Sequence, residues 1–150
     1  PYAEGRIVWQ SPGKNLDYVR YPVRSAEKSA IPSHDWVIGE ILSALYVGLS
    51  RHCRGELLAG YRLVQQDAVR RLLEWISLTE PASGIAPDLF AWERRYEARF
   101  PDYAPYLAQW LPGYTETPQS ALAILTFLRE RAALNPAMQA AIERLASSGA

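Results

Sequence analysis

Ser33-His34-Asp35-Trp36-Val37-Ile38-Gly39-Glu40-Ile41-Leu42-Ser43-Ala44-Leu45-Tyr46-Val47-Gly48-Leu49-Ser50-Arg51 sets the fold class. Ile38, Ile41, Leu42, Leu45 and Leu49 recur at three- and four-residue spacing, which lays one apolar stripe along a helix. Ser33 is a good N-cap, and Asp35 falls in the first turn, where the helix dipole favours an anion. Gly39, Ser43, Ala44 and Gly48 are small residues beside the stripe and would let a second helix come close.

His52-Cys53-Arg54-Gly55 interrupts this helix, and Glu56 opens a second one. Its stripe is Leu57, Leu58, Tyr61, Val64, Ala68, Leu72, Trp75 and Ile76. Asp67 with Arg71, and Arg70 with Glu74, stand as outward i,i+4 pairs worth a few tenths of a kcal/mol each. Two long amphipathic helices joined by a short break predict an antiparallel hairpin. Downstream, the loop from Glu80 to Pro87 ends the second helix, and Asp88 is expected to cap a third that runs to Arg99. A short helix is expected from Pro105 to Leu111, a longer one from Thr117 to about Leu134, and a last one from Asn135-Pro136 to near Ser147.

Upstream the pattern differs. Arg6-Ile7-Val8-Trp9 reads as a short β-strand, Ser11-Pro12-Gly13 as a turn, and Arg24 to Ser33 as a linker. One or two strands do not hold together alone in water, so this arm needs a packing partner. The expected architecture is all-α: an up-and-down bundle of five to six helices over residues 33–150. Residues 1–32 are expected to form an extended arm and linker that carries one short strand.

The chain has 150 residues, 49% hydrophobic and 21% charged, an ordinary soluble composition for one domain. Sixteen basic residues balance sixteen acidic ones, which argues against a nucleic-acid partner. Cys53 is the single cysteine, so no intrachain disulfide forms. The uncharged run from Ile41 to Ser50 is about half a membrane span, which points away from a membrane and towards a cytoplasmic protein. The chain begins at Pro1 without Met, as a trimmed product or a piece of something longer would.

Few catalytic patterns are available. His34 and His52 are the only imidazoles, so three His ligands for a metal cannot be assembled, and no metal site is expected in this chain. No Walker loop, G-x-S-x-G elbow, D-x-D or E-x-E occurs. His52 and Cys53 are neighbours whose side chains diverge by about 100° on a helix, and Cys53 reads as a buried or half-buried structural thiol. The densest polar and aromatic cluster runs from Phe90 to Phe100. On a helix, Trp92, Tyr96 and Arg99 would share one face and Glu93 and Glu97 the next, a wall able to stack rings and receive amines or hydroxyls.

Gly5-Arg6-Ile7-Val8-Trp9, the start Arg54-Gly55-Glu56-Leu57-Leu58, and Trp92-Glu93-Arg94-Arg95-Tyr96-Glu97-Ala98-Arg99-Phe100-Pro101 together resemble the C-terminal helical part of nucleotidyltransferase-like proteins. The resemblance is to the kanamycin and lincosamide nucleotidyltransferase type, and it runs from about Gly5 to Leu134. In that family a mixed α/β domain with a Gly-Ser motif and paired Asp residues precedes the helical half. Neither stands here. The resemblance implies that Mg²⁺ and ATP belong to that upstream domain, and that the helices hold an antibiotic-like small-molecule acceptor. It makes Glu40 and Glu56 candidates for a general base, and Tyr61, Trp92, Glu93, Tyr96 and Glu97 candidates for acceptor binding.

The hairpin is also similar to HEPN domains. Their ribonuclease signature, an Arg four to six residues before a His, is absent, because Arg51 directly precedes His52. That alternative leaves a non-catalytic module binding a partner protein or a second copy of itself as a homodimer.

Overall fold

The computed structural model describes residues 11–13, 32–88 and 91–148. The chain divides into two units, Pro1–Pro32 and Ser33–Ala150. The expected strand at Ile7-Val8-Trp9 lies outside the described residues.

The second unit is an all-α bundle. Helix α1 spans His34–Cys53, and its start is capped as the sequence implies: the Ser33 hydroxyl accepts from the Trp36 N–H at 3.2 Å. It ends in a Schellman turn. The Glu56 N–H donates to the Arg51 carbonyl at 3.0 Å and the Gly55 N–H to that of His52 at 2.9 Å. Gly55 sits at φ +80°, the left-handed conformation this motif places on glycine.

The return run is continuous but changes register along its length: α2 spans Leu57–Tyr61, a π-helical stretch spans Arg62–Ala68, and α3 spans Val69–Thr79. It packs antiparallel on α1. At one end Gly48 and Gly60 meet backbone to backbone; at the other, Arg71 lies over the ring of Trp36, 4.9 Å from its centroid. Gly48 thus does what its size suggests, and a Cβ there would stand 2.7 Å from Val64 Cγ2. Gly39 does not, since nothing lies within 4 Å of its missing Cβ.

The core is the α1 stripe of Ile41, Leu42, Leu45 and Leu49 against Val64, Leu72 and Ile76, closed by Ile124, Leu128 and Ile142. Helices α6 (Thr117–Arg129) and α7 (Pro136–Ser148) supply that second wall. Asn135 caps α7, its Oδ1 accepting from the N–H groups of Ala137 and Met138 at 2.9 and 3.2 Å. Phe127 is the hub of an aromatic cluster, with Trp110, Tyr106, Tyr103 and Trp75 at centroid distances of 4.9, 5.2, 6.1 and 6.5 Å.

Four sequence expectations are corrected. The helix expected from Asp88 to Arg99 is only α4, Tyr96–Arg99. Asp88 caps a turn, accepting from the Ala91 N–H at 3.1 Å, and Arg95 at φ +61° bends the chain before α4 begins. The helix begun at Thr117 stops at Arg129, short of Leu134. Cys53 is exposed, and its thiol donates to the Leu145 carbonyl at 3.4 Å. The stretch expected from Pro105 to Leu111 is a 3₁₀ turn, Ala104–Tyr106, leading into α5, Leu107–Trp110.

Candidate functional site

Two concave places on the bundle each hold one of the expected site residues, Glu56 in the first and Trp92 in the second. The first surrounds the α1–α2 turn, a shallow depression of about 560 Å³ with Glu56, Leu57, Leu58, Arg62 and Tyr114 on its walls. The Glu56 carboxylate is already engaged there. Arg51 Nη1 donates to Oε2 at 2.8 Å and Arg54 Nε to Oε1 at 2.9 Å. These two hydrogen bonds, that from Arg54 the stronger influence, hold its carboxyl below the ordinary glutamate range. Tyr61 is not on the walls of the depression, and its ring stands 5.8 Å from that of Tyr114.

The Tyr114 loop is fastened to the π-helical stretch by one side chain. Gln65, 2% exposed, donates from Nε2 to the Gly113 carbonyl at 2.7 Å and accepts from the Gly113 N–H on Oε1 at 3.0 Å. A π turn shifts the side-chain register of a helix, and such turns recur at functional positions.

The second place is a cleft of about 330 Å³ where α3 faces the segment that leads into α4. Arg70, Arg71, Glu74 and Ser77 come from α3, and Trp92 and Arg99 from the opposite side. Ser83 holds the far wall: its N–H donates to the Arg99 carbonyl at 2.9 Å and its hydroxyl to that of Ala98 at 2.6 Å. Arg99 is buried, 9% exposed. Its Nη1 donates to the Trp92 carbonyl at 3.3 Å, while its buried Nε has no hydrogen-bond partner among the described residues.

The pairings expected on α3 are also redrawn. Arg71 pairs with Glu74 at 2.7 Å and approaches Glu40 at 3.9 Å, not Asp67. Arg70 therefore has no carboxylate partner among the described residues.

Tyr96 stands in the core behind Trp92, with ring centroids 6.1 Å apart, and its hydroxyl donates to the Leu73 carbonyl at 3.2 Å. Burial pushes its phenol far above the ordinary tyrosine range, so it stays a protonated donor. Trp92, Tyr96 and Arg99 do come together as the sequence implies, although a bent turn assembles them in place of a long helix. Glu93 and Glu97 are exposed and do not line the cleft. Glu40 and Glu56 are not brought together. They lie towards opposite ends of the hairpin, about 16 Å apart along α1 from Glu40 to the Arg51 that holds Glu56.

Sequence reasoning missed Arg70, Arg71, Glu74 and Ser77 as cleft residues. The available signal was the Arg70-Arg71 pair on the polar side of a strong apolar stripe. Among the described residues no group of three His, Cys, Asp or Glu side chains could hold a metal ion. None of the helices described is long and apolar enough to cross a membrane. Comparison with family models, with curated proteins and with solved structures returns no match for this chain.

Proposed function

We propose that this chain is the helical, acceptor-binding part of a nucleotidyltransferase-like protein whose metal and nucleotide are held by an upstream domain. The observation that carries this is the cleft on α3, which combines an aromatic wall, Trp92, with a hydroxyl, a carboxylate and guanidinium groups from two sides. A cleft of this size and mixed lining suits one small polar molecule. Its contribution is positioning: holding an acceptor hydroxyl in line with an α-phosphate removes up to roughly 7–11 kcal/mol of barrier by orientation.

The lining also selects within the acceptor class. Three guanidinium groups against one carboxylate disfavour a polycation, so a hydroxylated acceptor that also bears an acidic group fits better than an aminoglycoside. Neither Glu40 nor Glu56 lines this cleft, and the two arginines on Glu56 make it a weaker base. Within this reading Glu56 organises the α1–α2 turn, and Glu74 is the carboxylate nearest a bound hydroxyl. The test is to incubate the chain with MgATP and a panel of hydroxylated acceptors, reading both transfer and the Trp92 indole N–H resonance. Saturable movement of Trp92 with no adenylyl transfer is expected; transfer by the chain alone, or no movement with any acceptor, contradicts the reading.

A second reading has its own observation. Leu57, Leu58 and Tyr114 are exposed around the first depression, an apolar face suited to packing on another domain or a second copy. Sedimentation of the chain and of Leu58→Glu separates the readings, because only an interaction module shows self-association that the variant abolishes.

A further inference from the structure

We infer that the cleft between α3 and the Trp92–Arg99 segment is an oxyanion site, taking the carboxylate or phosphate group of a small molecule. The inference rests on reading that cleft as a ligand site and does not depend on the nucleotidyltransferase assignment.

A guanidinium is always charged, and burying one is costly unless an anion or a full set of acceptors compensates it. Arg99 is 9% exposed, has no carboxylate within 4.0 Å among the described residues, and spends one hydrogen bond on the Trp92 carbonyl while Nε has none. The Phe100 ring, 5.1 Å from its Cζ, offers a π face but no acceptor. A cation held this way, with its wall fastened by Ser83, is preorganised for a partner that the protein itself does not supply.

The opposite wall points to the same ligand. Arg70 lines the cleft with no ion pair among the described residues, and Arg71 lines it beside Glu74. Even with Glu74 counted, the cleft carries more positive than negative side chains. Arginine forks match the planar edges of carboxylate and phosphate groups, and three of them converging from two elements leave an anion as the complementary ligand. Ser77 adds a hydroxyl at the same wall, although its proton is directed to the Leu73 carbonyl at 2.8 Å.

The test uses the whole chain, labelled with ¹⁵N, at constant ionic strength. The Nε–H resonance of Arg99, assigned by its loss in Arg99→Lys, is followed during titration with inorganic phosphate, acetate and a neutral methyl glycoside. The expected result is a saturable shift with phosphate or acetate and none with the glycoside. The tighter of the two anions identifies a phosphoryl or a carboxylate ligand.

Arg70→Gln, which removes an exposed side chain with no ion pair among the described residues, should weaken anion binding about fivefold. Arg144→Gln removes the same charge from exposed α7 and should leave binding unchanged. Linear, unsaturating shifts, or equal weakening by Arg70→Gln and Arg144→Gln, would show general charge screening and overturn the site. A saturable shift with the glycoside alone would overturn the anion assignment while keeping the cleft as a ligand site. No shift with any probe would remove both.

Discussion

Gln65 holds Gly113 by both ends of its amide, donating to the carbonyl at 2.7 Å and accepting from the N–H at 3.0 Å. One side chain on the π-helical stretch thereby replaces a strand-like pairing for a loop 48 residues away. Because the amide is buried, both of its partners depend on it. Gln65→Leu should cost about 1–3 kcal/mol in denaturant unfolding and speed hydrogen exchange at the Gly113 amide. An unchanged exchange rate would mean the loop is held by other contacts.

The close crossing at Gly48 and Gly60 makes opposite predictions for two glycines on the same hairpin. A Cβ at Gly60 would stand 2.9 Å from the Gly48 carbonyl oxygen and 3.1 Å from His52 Cβ. Gly60→Ala should therefore destabilise by about 1–3 kcal/mol, since backbone cannot move aside cheaply. Gly39 is exposed in mid-helix with open space around it, and Gly39→Ala should stabilise by up to ~1 kcal/mol. Thermal melts of both variants settle the pair; the same sign in both would contradict the packing.

Trp75 is buried and meets Phe127 edge to face at 6.5 Å, at the margin of the aromatic cluster. Trp75→Ala should lower stability by about 3–5 kcal/mol, measured by denaturant unfolding. A variant that melts where the parent does would place Trp75 outside the core.

Those predictions divide according to what the sequence carried. The α1 stripe, the Ser33 cap and the Asn135 cap were legible because period and capping chemistry are local. Gly60 was not, because closeness to Gly48 is a property of the crossing and not of either helix. The π-helical stretch at Arg62–Ala68 leaves no compositional mark either. The Phe90–Phe100 cluster was legible as a grouping of Trp92, Tyr96 and Arg99, yet its conformation was not. Arg95 in a left-handed conformation is rare for a residue with a Cβ, and helical spacing around it conceals the bend. The cleft escaped because Arg70 and Arg71 face Trp92 and Arg99 only once the chain has turned at Pro81–Pro87.

Glu56 carries a pH dependence of definite sign. Its carboxyl is held below the ordinary value by hydrogen bonds from Arg54 and Arg51. A group with a lowered folded pKa adds stability above its unfolded value, about 4.3 for Glu, and that stability is lost as pH falls through the folded value. Side-chain NMR should show Glu56 titrating below the ordinary glutamate value. In Glu56→Gln the part of the acid-induced loss due to this residue should vanish. A Glu56 midpoint at or above that value would contradict the pairing.

The central proposal is that this bundle works beside a catalytic domain on the same polypeptide. The intact mass of the native protein in its source cell tests it most directly. The account predicts a chain longer than this one by on the order of a domain, ~100 residues, placed ahead of Pro1. A native polypeptide that starts at Pro1 would contradict it.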